Sequence, residues 1–372
     1  MISTPPLRTS TVKRDKIRVG VIGTGFGAAV HIPALLQVSD FDVVAVCSRR
    51  PEHAAYVSAQ YGIDIAVSEY KELVRNPDID AVVIATPPYL HHGMVIAALE
   101  EGKHVLCEKP MAKNLAESRD MVKIADRVGV TAMVNHEFRY APARARAKEL
   151  IDEGYIGEPQ SASLTIYRSS LNDPNGIPFG WLMEAEKAGG MLGAAGSHHV
   201  DALRWWFGEV KSVAGAVGTM VRRRRLPESM HMAAVDADDN FGILLKFANG
   251  AIATVHYSAT AVHDPADQIL LSGSEGMLIV GSDGLLYGAR RNEPMSEVPI
   301  PGRLIFDDGD FDHPLIQPTI LMHRSWSRAI RTGERLSPTF DDGVKIQEIL
   351  EGVQRSSQQG RWVDVNRSRW QV

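Results

Sequence analysis

The stretch Cys107-Glu108-Lys109-Pro110 combines residue types that could do chemistry with neighbours that fix its place. It closes the apolar-rich run Lys103-His104-Val105-Leu106 and opens a helical pattern over Met111–Val128. A lysine ending a parallel strand stands at the carboxyl edge of its sheet, where doubly wound folds bind ligands. Pro110 fixes its own φ and pushes Lys109 out of the helical region, so the chain must turn there. Sequence leaves the cis or trans state of the Lys109–Pro110 bond open. An amine held at such an edge can polarise a carbonyl or share a proton; the plainer reading is an exposed lysine in a strand–helix turn. A second candidate lies in Gly196-Ser197-His198-His199-Val200-Asp201. His198 and Asp201 are three apart and share a helix face, where a carboxylate could orient an imidazole whose ordinary pKa suits a base near neutral pH. Taken alone, His198 reads as a satisfied interior histidine.

These groups need elements to position them, and the first half of the chain supplies a regular series. Ile17–Ile22 is a β-rich run followed by Gly23-Thr24-Gly25-Phe26-Gly27-Ala28 and a helical pattern to about Val38. This is the strand–turn–helix form G-x-G-x-x-A. Its first glycine permits the tight turn, its second lets backbone approach a pyrophosphate, and the small Ala28 permits close helix–sheet packing. Without a ligand it would be a glycine-rich turn and nothing more. Val43–Cys47 is the next strand, and its end should face the adenine ribose. An acid there would suit the 2′-hydroxyl of NAD; this chain has Ser48-Arg49-Arg50, which suits a 2′-phosphate. NADP is therefore expected over NAD, the alternative being that both arginines cap the following helix. Asp80–Ala85 is a buried strand leading to Thr86 and Pro87, placed to wall the nicotinamide side. His91 would bond cofactor phosphate or ribose, or cap the helix Gly93–Glu101. Val130–Val134 ends at Asn135, and the dinucleotide-binding domain closes there, spanning residues 16–135 after a flexible tail over 1–15.

Beyond Asn135 the pattern changes. Ala141–Glu153 reads as a helix, and strand-like runs follow at Gln160–Tyr167, Val210–Met220, Phe241–Phe247, Ala251–Ser258, Gln268–Ser272, Met277–Val280 and Leu285–Tyr287. Short turns such as Ala248-Asn249-Gly250 point to antiparallel pairing. Residues 136–372 are thus expected to form an α+β domain with a large, mostly antiparallel open sheet. Helical patterns at Ile316–Thr332 and Asp342–Gln358 finish it. Its uncovered face leads to the expectation of a homodimer or homotetramer. The basic run Arg222–Arg225 reads as a solvated loop.

Composition narrows the classes. A chain of 372 residues with 44% hydrophobic and 23% charged residues fits a globular protein of two domains. A net charge of −5 gives no reason to expect nucleic acid, and no stretch approaches a membrane span. Cys47 and Cys107 both end apolar runs, which suggests buried thiols in a reducing, cytoplasmic setting. No metal site is expected.

Together, Gly23 through Ala28, Ala85-Thr86-Pro87 with His91, Glu101 through Pro110, Asn135 through Arg139, and Gly196-x-His198-x-x-Asp201 resemble the glucose–fructose oxidoreductase and inositol dehydrogenase (Gfo/Idh/MocA) family. The likeness covers nearly the whole chain after about Lys16. It implies an NAD(P)-dependent oxidoreductase, with a Rossmann domain and an open-sheet domain, acting on a sugar, polyol or related carbohydrate. The matching lysine in that family touches the nicotinamide ribose and the substrate hydroxyl, and the matching histidine is the usual acid/base. Lys109 and His198 are thus the implied catalytic pair, with Asp201 or Tyr167 as possible helpers, and Glu108 and Asn135 on the cofactor side. Arg168, Trp181 and His199 are candidate substrate contacts. Two positions depart from the pattern. Many members carry an aspartate one turn before the histidine, where this chain has Ala194, and the Trp-Arg pair common after the first sheet strand is here Trp181-Leu182. Two other readings stay open. One is a redox-assisted glycoside lyase or hydrolase with tightly bound NAD(P); the other is a sugar or nucleotide sensor without turnover.

Overall fold

Runs of Val, Ile and Ala with few polar breaks are what strands covered on both faces require, and the first third of the chain folds accordingly. The computed structural model describes residues 15–306, 309 and 311–365. The tail expected over residues 1–15 falls outside them except for Asp15. In chain order the elements are β1 (Ile17–Ile22), a wide π-helical turn (Gly27–His31) running into α1 (Ile32–Leu36), β2 (Phe41–Cys47), α2 (Pro51–Tyr61), β3 (Ile65–Val67), α3 (Tyr70–Arg75), β4 (Ala81–Ile84), α4 (His91–Glu100), β5 (His104–Cys107), α5 (Leu115–Val128) and β6 (Ala132–Val134). The next are α6 (Pro142–Asp152), β7 (Pro159–Tyr167), α7 (Ser197–Phe207), β8 (Val210–Gly218), β9 (Arg223–Arg225), β10 (Met232–Ala234), β11 (Asn240–Phe247), β12 (Ile252–Ser258), β13 (Gln268–Gly273), β14 (Gly276–Val280), β15 (Leu286–Arg290) and β16 (Ser296–Glu297). The last are α8 (Ile316–Thr332), α9 (Phe340–Gln359) and β17 (Val363–Asp364).

The chain divides into two compact units, residues 1–137 with 308–344, and residues 138–307 with 345–372. The first unit is built on a six-stranded sheet in the order β3-β2-β1-β4-β5-β6, every pair parallel. All four residues of β4 are fully buried, as are Val105, Leu106 and Cys107 of β5. α5 starts where Asn114 Oδ1 accepts from the Glu117 amide at 2.9 Å, and it stops at Gly129 in the left-handed region. It therefore begins at Leu115, four residues after the start expected at Met111. The boundary expected at 135 misses a return: residues 308–344 belong to the first unit. Trp326 of α8 is fully buried and stacks on Phe41 at 5.3 Å, Thr339 bridges Met133, and Phe340 enters the core beside Met111 and Val134.

The second unit is built on a nine-stranded sheet in the order β16-β15-β14-β13-β7-β12-β11-β8-β17. Only the central β7–β12 pair is parallel. One face packs against α6, α7 and the later part of α9, through residues such as Leu164, Phe241, Val255, Leu271, Trp206 and Val353. Strand alternation turns Ser163, Thr165, Thr254 and His256 to the other face. Arg222–Arg225 is not the solvated loop expected. Arg223–Arg225 is β9, paired antiparallel with β10, and Arg224 is 1% exposed with its guanidinium donating to the carbonyls of Leu171 and Asp173. A buried guanidinium met by backbone oxygens can replace an apolar side chain at that position. No helix among the described residues is long and apolar enough to cross a membrane. Both cysteines are free and buried, and burial pushes the Cys47 thiol up to about 12.

Candidate functional site

Because the strands of the first sheet all run one way, the residues just beyond their ends share one edge. Gly23 follows β1, Ser48 follows β2, Thr86 and Pro87 follow β4, Lys109 follows β5 and Asn135 follows β6. Gly23 has φ of +114°, and a Cβ there would lie 2.4 Å from the carbonyl oxygen of Ala85. Only glycine lets β1 turn so close under the end of β4. Gly25 is exposed, and a Cβ on it would meet nothing within 4 Å. Gly27 is buried with its Cβ position 3.0 Å from Val21 Cγ1, the close packing of helix on strand. Phe26 stands half-buried beside it, its ring edge to that of His31 at 5.6 Å. Thr24 and Ser48 join hydroxyls at 3.1 Å, tying the glycine turn to the end of β2. Arg49 and Arg50 are exposed, and Arg50 makes no side-chain cap to α2.

Two expectations on this edge change. His91 was read as a cofactor ligand or a helix cap, yet its ring is fully buried. Its Nε2 lies 2.7 Å from the Thr86 carbonyl, and its Nδ1 lies 3.1 and 3.3 Å from those of Pro110 and Met111. With both nitrogens on backbone, it pins the turn after β4 to the turn after β5 and has none left for phosphate or ribose. Glu108 is 6% exposed and likewise faces inward. Its Oε1 accepts from Asn135 Nδ2 at 2.6 Å and lies 2.9 Å from His31 Nε2, while Oε2 accepts from the Lys109 amide at 3.1 Å. Glu108 therefore braces the wall rather than touching a dinucleotide. Thr86 sends its hydroxyl to Met94 Sδ at 3.4 Å. Lys109 itself is half-buried, and the Lys109–Pro110 bond is cis.

In the second unit the chemistry-bearing helix is α7, entered through a π-helical turn over Leu192–Gly196 that includes Ala194. His198 is 4% exposed and stacks face to face on Phe138, with centroids 4.0 Å apart and planes at 13°. Arg144 places its guanidinium 4.9 Å from the same Phe138 ring. Asp201 was expected to orient His198. Its carboxylate meets Arg139, with Nε to Oδ2 at 2.8 Å and Nη2 to Oδ1 at 2.5 Å. His199 is buried against Tyr257, and burial, then the charges of Arg144 and Arg168, push its pKa down to about 3. It is a neutral imidazole at any physiological pH. Arg168 is bound through both terminal nitrogens to Asp267, at 2.6 and 2.8 Å. Trp181 is half-buried at the start of a short 3-10 turn. Tyr167 is a correction by parity: in β7 it shares a face with Ser163 and Thr165 and lies 5.2 Å from His256, on the side away from α7. It is not a helper of His198.

His31 and His323 escaped the sequence reading, as did the roles of Phe138, Arg139 and Arg144. The signal for the histidines was available. Each interrupts an apolar stripe, His31 between Val30 and Ile32, and His323 in the row Ile316, Ile320, His323, Trp326, Ile330 at helical spacing. Among the described residues no group of three or more His, Cys, Asp or Glu side chains could hold a metal ion.

The first unit's edge fits a dinucleotide on its own features. Open space lies over Gly25, where a pyrophosphate must come near backbone. Asn135 is fully buried and its Oδ1 has no hydrogen-bond partner among the described residues, an acceptor suited to a carboxamide N–H. Residues 17–136 match the family described as "Oxidoreductase family, NAD-binding Rossmann fold", and residues 145–279 match the GFO/IDH/MocA C-terminal domain. An uncharacterised oxidoreductase of Synechocystis is 31% identical over 95% of this chain and 97% of its own length. Levoglucosan dehydrogenase of Pseudarthrobacter phenanthrenivorans is 29% identical over 94% of this chain and 98% of its own. A solved structure of levoglucosan dehydrogenase, in complex with NADH and L-sorbose, matches with a TM-score of 0.88 at 28% identity, over 95% of this chain and 99% of that one. By its NAD-binding Rossmann unit and the mixed-sheet unit that follows, this chain belongs to the Gfo/Idh/MocA family of oxidoreductases.

Proposed function

We propose that the protein transfers a hydride reversibly between NADP and a secondary alcohol or ketone carbon of a sugar, polyol or ketosugar. The observation behind this reading is that the glycine turn, Lys109 and Asn135 stand together on one carboxyl edge of the parallel sheet. The nicotinamide accepts or supplies the hydride; the protein must handle the proton and hold the hydroxyl. His198 serves as the base that takes the hydroxyl proton, and Lys109 polarises the oxygen and shares that proton. Relatives named as carbohydrate dehydrogenases support the substrate class. NADP is favoured over NAD because β2 ends in Ser48-Arg49-Arg50 with no acid, and both guanidinium groups are exposed there. Ala194 favours a second reading, redox-assisted lyase or hydrolase chemistry, because it removes a carboxylate that many members place near the histidine.

A panel of sugars, polyols and ketosugars, followed by nicotinamide absorbance with both cofactors, tests these readings together. Lys109→Ala and His198→Ala should each lower kcat by about 10²–10⁴-fold, the usual worth of a positioned acid or base, while NADPH still binds. Normal turnover by either variant would remove that residue from the mechanism. A higher kcat/KM with NAD would reverse the cofactor preference. Product formation without net absorbance change would select the lyase reading. Two further assignments rest on the same reading: a cytoplasmic location, suited to buried free thiols, and self-association through the face carrying Thr254 and His256. Sedimentation as a monomer at micromolar concentration would exclude the latter.

A further inference from the structure

Behind the edge that holds Lys109 and Asn135 lies a buried line of polar groups. His323 Nε2 is 3.1 Å from His31 Nδ1, His31 Nε2 is 2.9 Å from Glu108 Oε1, and Asn135 Nδ2 is 2.6 Å from that same oxygen. The four residues are between 0 and 6% exposed, and Phe26, Phe41 and Trp326 surround the two imidazoles. Burial works against the charged form of Glu108. The bond from His31, the nearby positive charge of Lys109 and the bond from Asn135 nevertheless hold its carboxyl below the ordinary range. An ionised carboxylate only accepts, so the two bonds that end on Glu108 Oε1 both run toward it. Asn135 must turn its NH2 to Glu108, which leaves Oδ1 facing away as an acceptor. His31 must present an N–H at Nε2 to that oxygen, and its Nδ1 stands 3.1 Å from His323 Nε2. Burial, then the charge of His31, works against a charge on His323.

We infer that His31, supported by His323, is a positioning residue that fixes the orientation of the Asn135 amide, and through it selects a carboxamide donor on the nicotinamide half of the cofactor. The inference rests on the dinucleotide reading above. His31 touches no cofactor in this scheme. It holds Glu108, and Glu108 holds both the Asn135 NH2 and the amide of Lys109. Without the bond from His31, the carboxylate can swing or take a proton. The amide can then flip and present NH2 where an acceptor is needed.

The test compares two variants of similar size and polarity. A Gln side chain can place its NH2 near the position of His31 Nε2, whereas Asn can reach only the Nδ1 position. Wild type, His31→Gln and His31→Asn are titrated calorimetrically with the reduced dinucleotide that wild type binds better. Each is also titrated with the matching ADP-ribose or 2′-phospho-ADP-ribose, which lacks nicotinamide. H31N should bind the dinucleotide roughly tenfold more weakly, the worth of about one hydrogen bond, with less than about twofold change for the ADP-ribose. H31Q should stay within about threefold of wild type for both. Equal loss of both ligands in H31N, or an H31Q as weak as H31N, overturns the inference. If the His31 variants do not fold, His323→Leu, one link further from Glu108, carries the same comparison. A wild type that binds neither dinucleotide would instead remove the parent reading, which separates the two failures.

Discussion

Two glycines two residues apart meet different surroundings, and a methyl group on each tests a different property. Gly23 has positive φ and a carbonyl oxygen 2.4 Å from where Cβ would stand. Gly23→Ala should therefore cost more than the ~1–2 kcal/mol of left-handed backbone alone and lower the melting temperature. Gly25 has open space at its Cβ position. Gly25→Ala should stay within about 0.5 kcal/mol of wild type in urea unfolding while weakening binding of the reduced dinucleotide tenfold or more. A G25A variant that bound the dinucleotide normally would show that the turn holds no pyrophosphate. His199 gives a prediction in pH. Its folded value of about 3 lies below the ordinary 6.5, so the unfolded chain takes the proton first as pH falls. Its contribution is fully present above about pH 6.5 and is lost toward pH 3, with a slope of up to ~1.4 kcal/mol per unit. His199→Gln should make the fall of stability between about pH 6 and pH 4 shallower by up to that amount. An unchanged slope would place the titration elsewhere.

At the scale of elements, α7 is held by charge as well as by apolar contact. Arg139 and Asp201 are 4% and 1% exposed and meet through two bonds. Breaking a buried pair by removing one partner leaves an uncompensated charge and typically costs ~3–5 kcal/mol. Asp201→Ala should lose about that much in denaturant unfolding, and Arg139→Met with Asp201→Leu should recover a large part of it. A double variant as unstable as the single one would mean the pair itself is needed. This pair also marks how far sequence could see. β1 was legible over Ile17–Ile22 because a β-rich run meets glycine, and the lysine turn because Pro110 forces one. β3 was missed because Ile65–Val67 is too short to show a period. Helical spacing offers His198 to Asp201, but the bond from Arg139 comes from 62 residues away, a distance no local pattern encodes. Tyr167 was misplaced for the opposite reason, since strand parity decides its face and was there to be counted.

For the whole molecule, the least expected result is that the dinucleotide unit is assembled from two separate stretches of chain. Ending it at Asn135 would omit α8, whose Trp326 packs on Phe41, and Phe340 in the core beside Met111. A fragment of residues 15–137 should therefore be unfolded or aggregated and should not bind a nicotinamide dinucleotide. A fragment in which residues 312–344 are rejoined by a flexible linker should fold and bind. Circular dichroism and calorimetry on the two fragments check this, and a stable, binding 15–137 fragment would show that the return segment is dispensable.

Synthesis from the amino end gives that return a cost in time. The first sheet leaves the ribosome early, yet its apolar bed for Trp326 stays uncovered until some two hundred further residues have been made. Nascent chains stalled anywhere between these points should be good chaperone clients, and the second unit, although begun later, has every strand but β17 made before α8 completes the first.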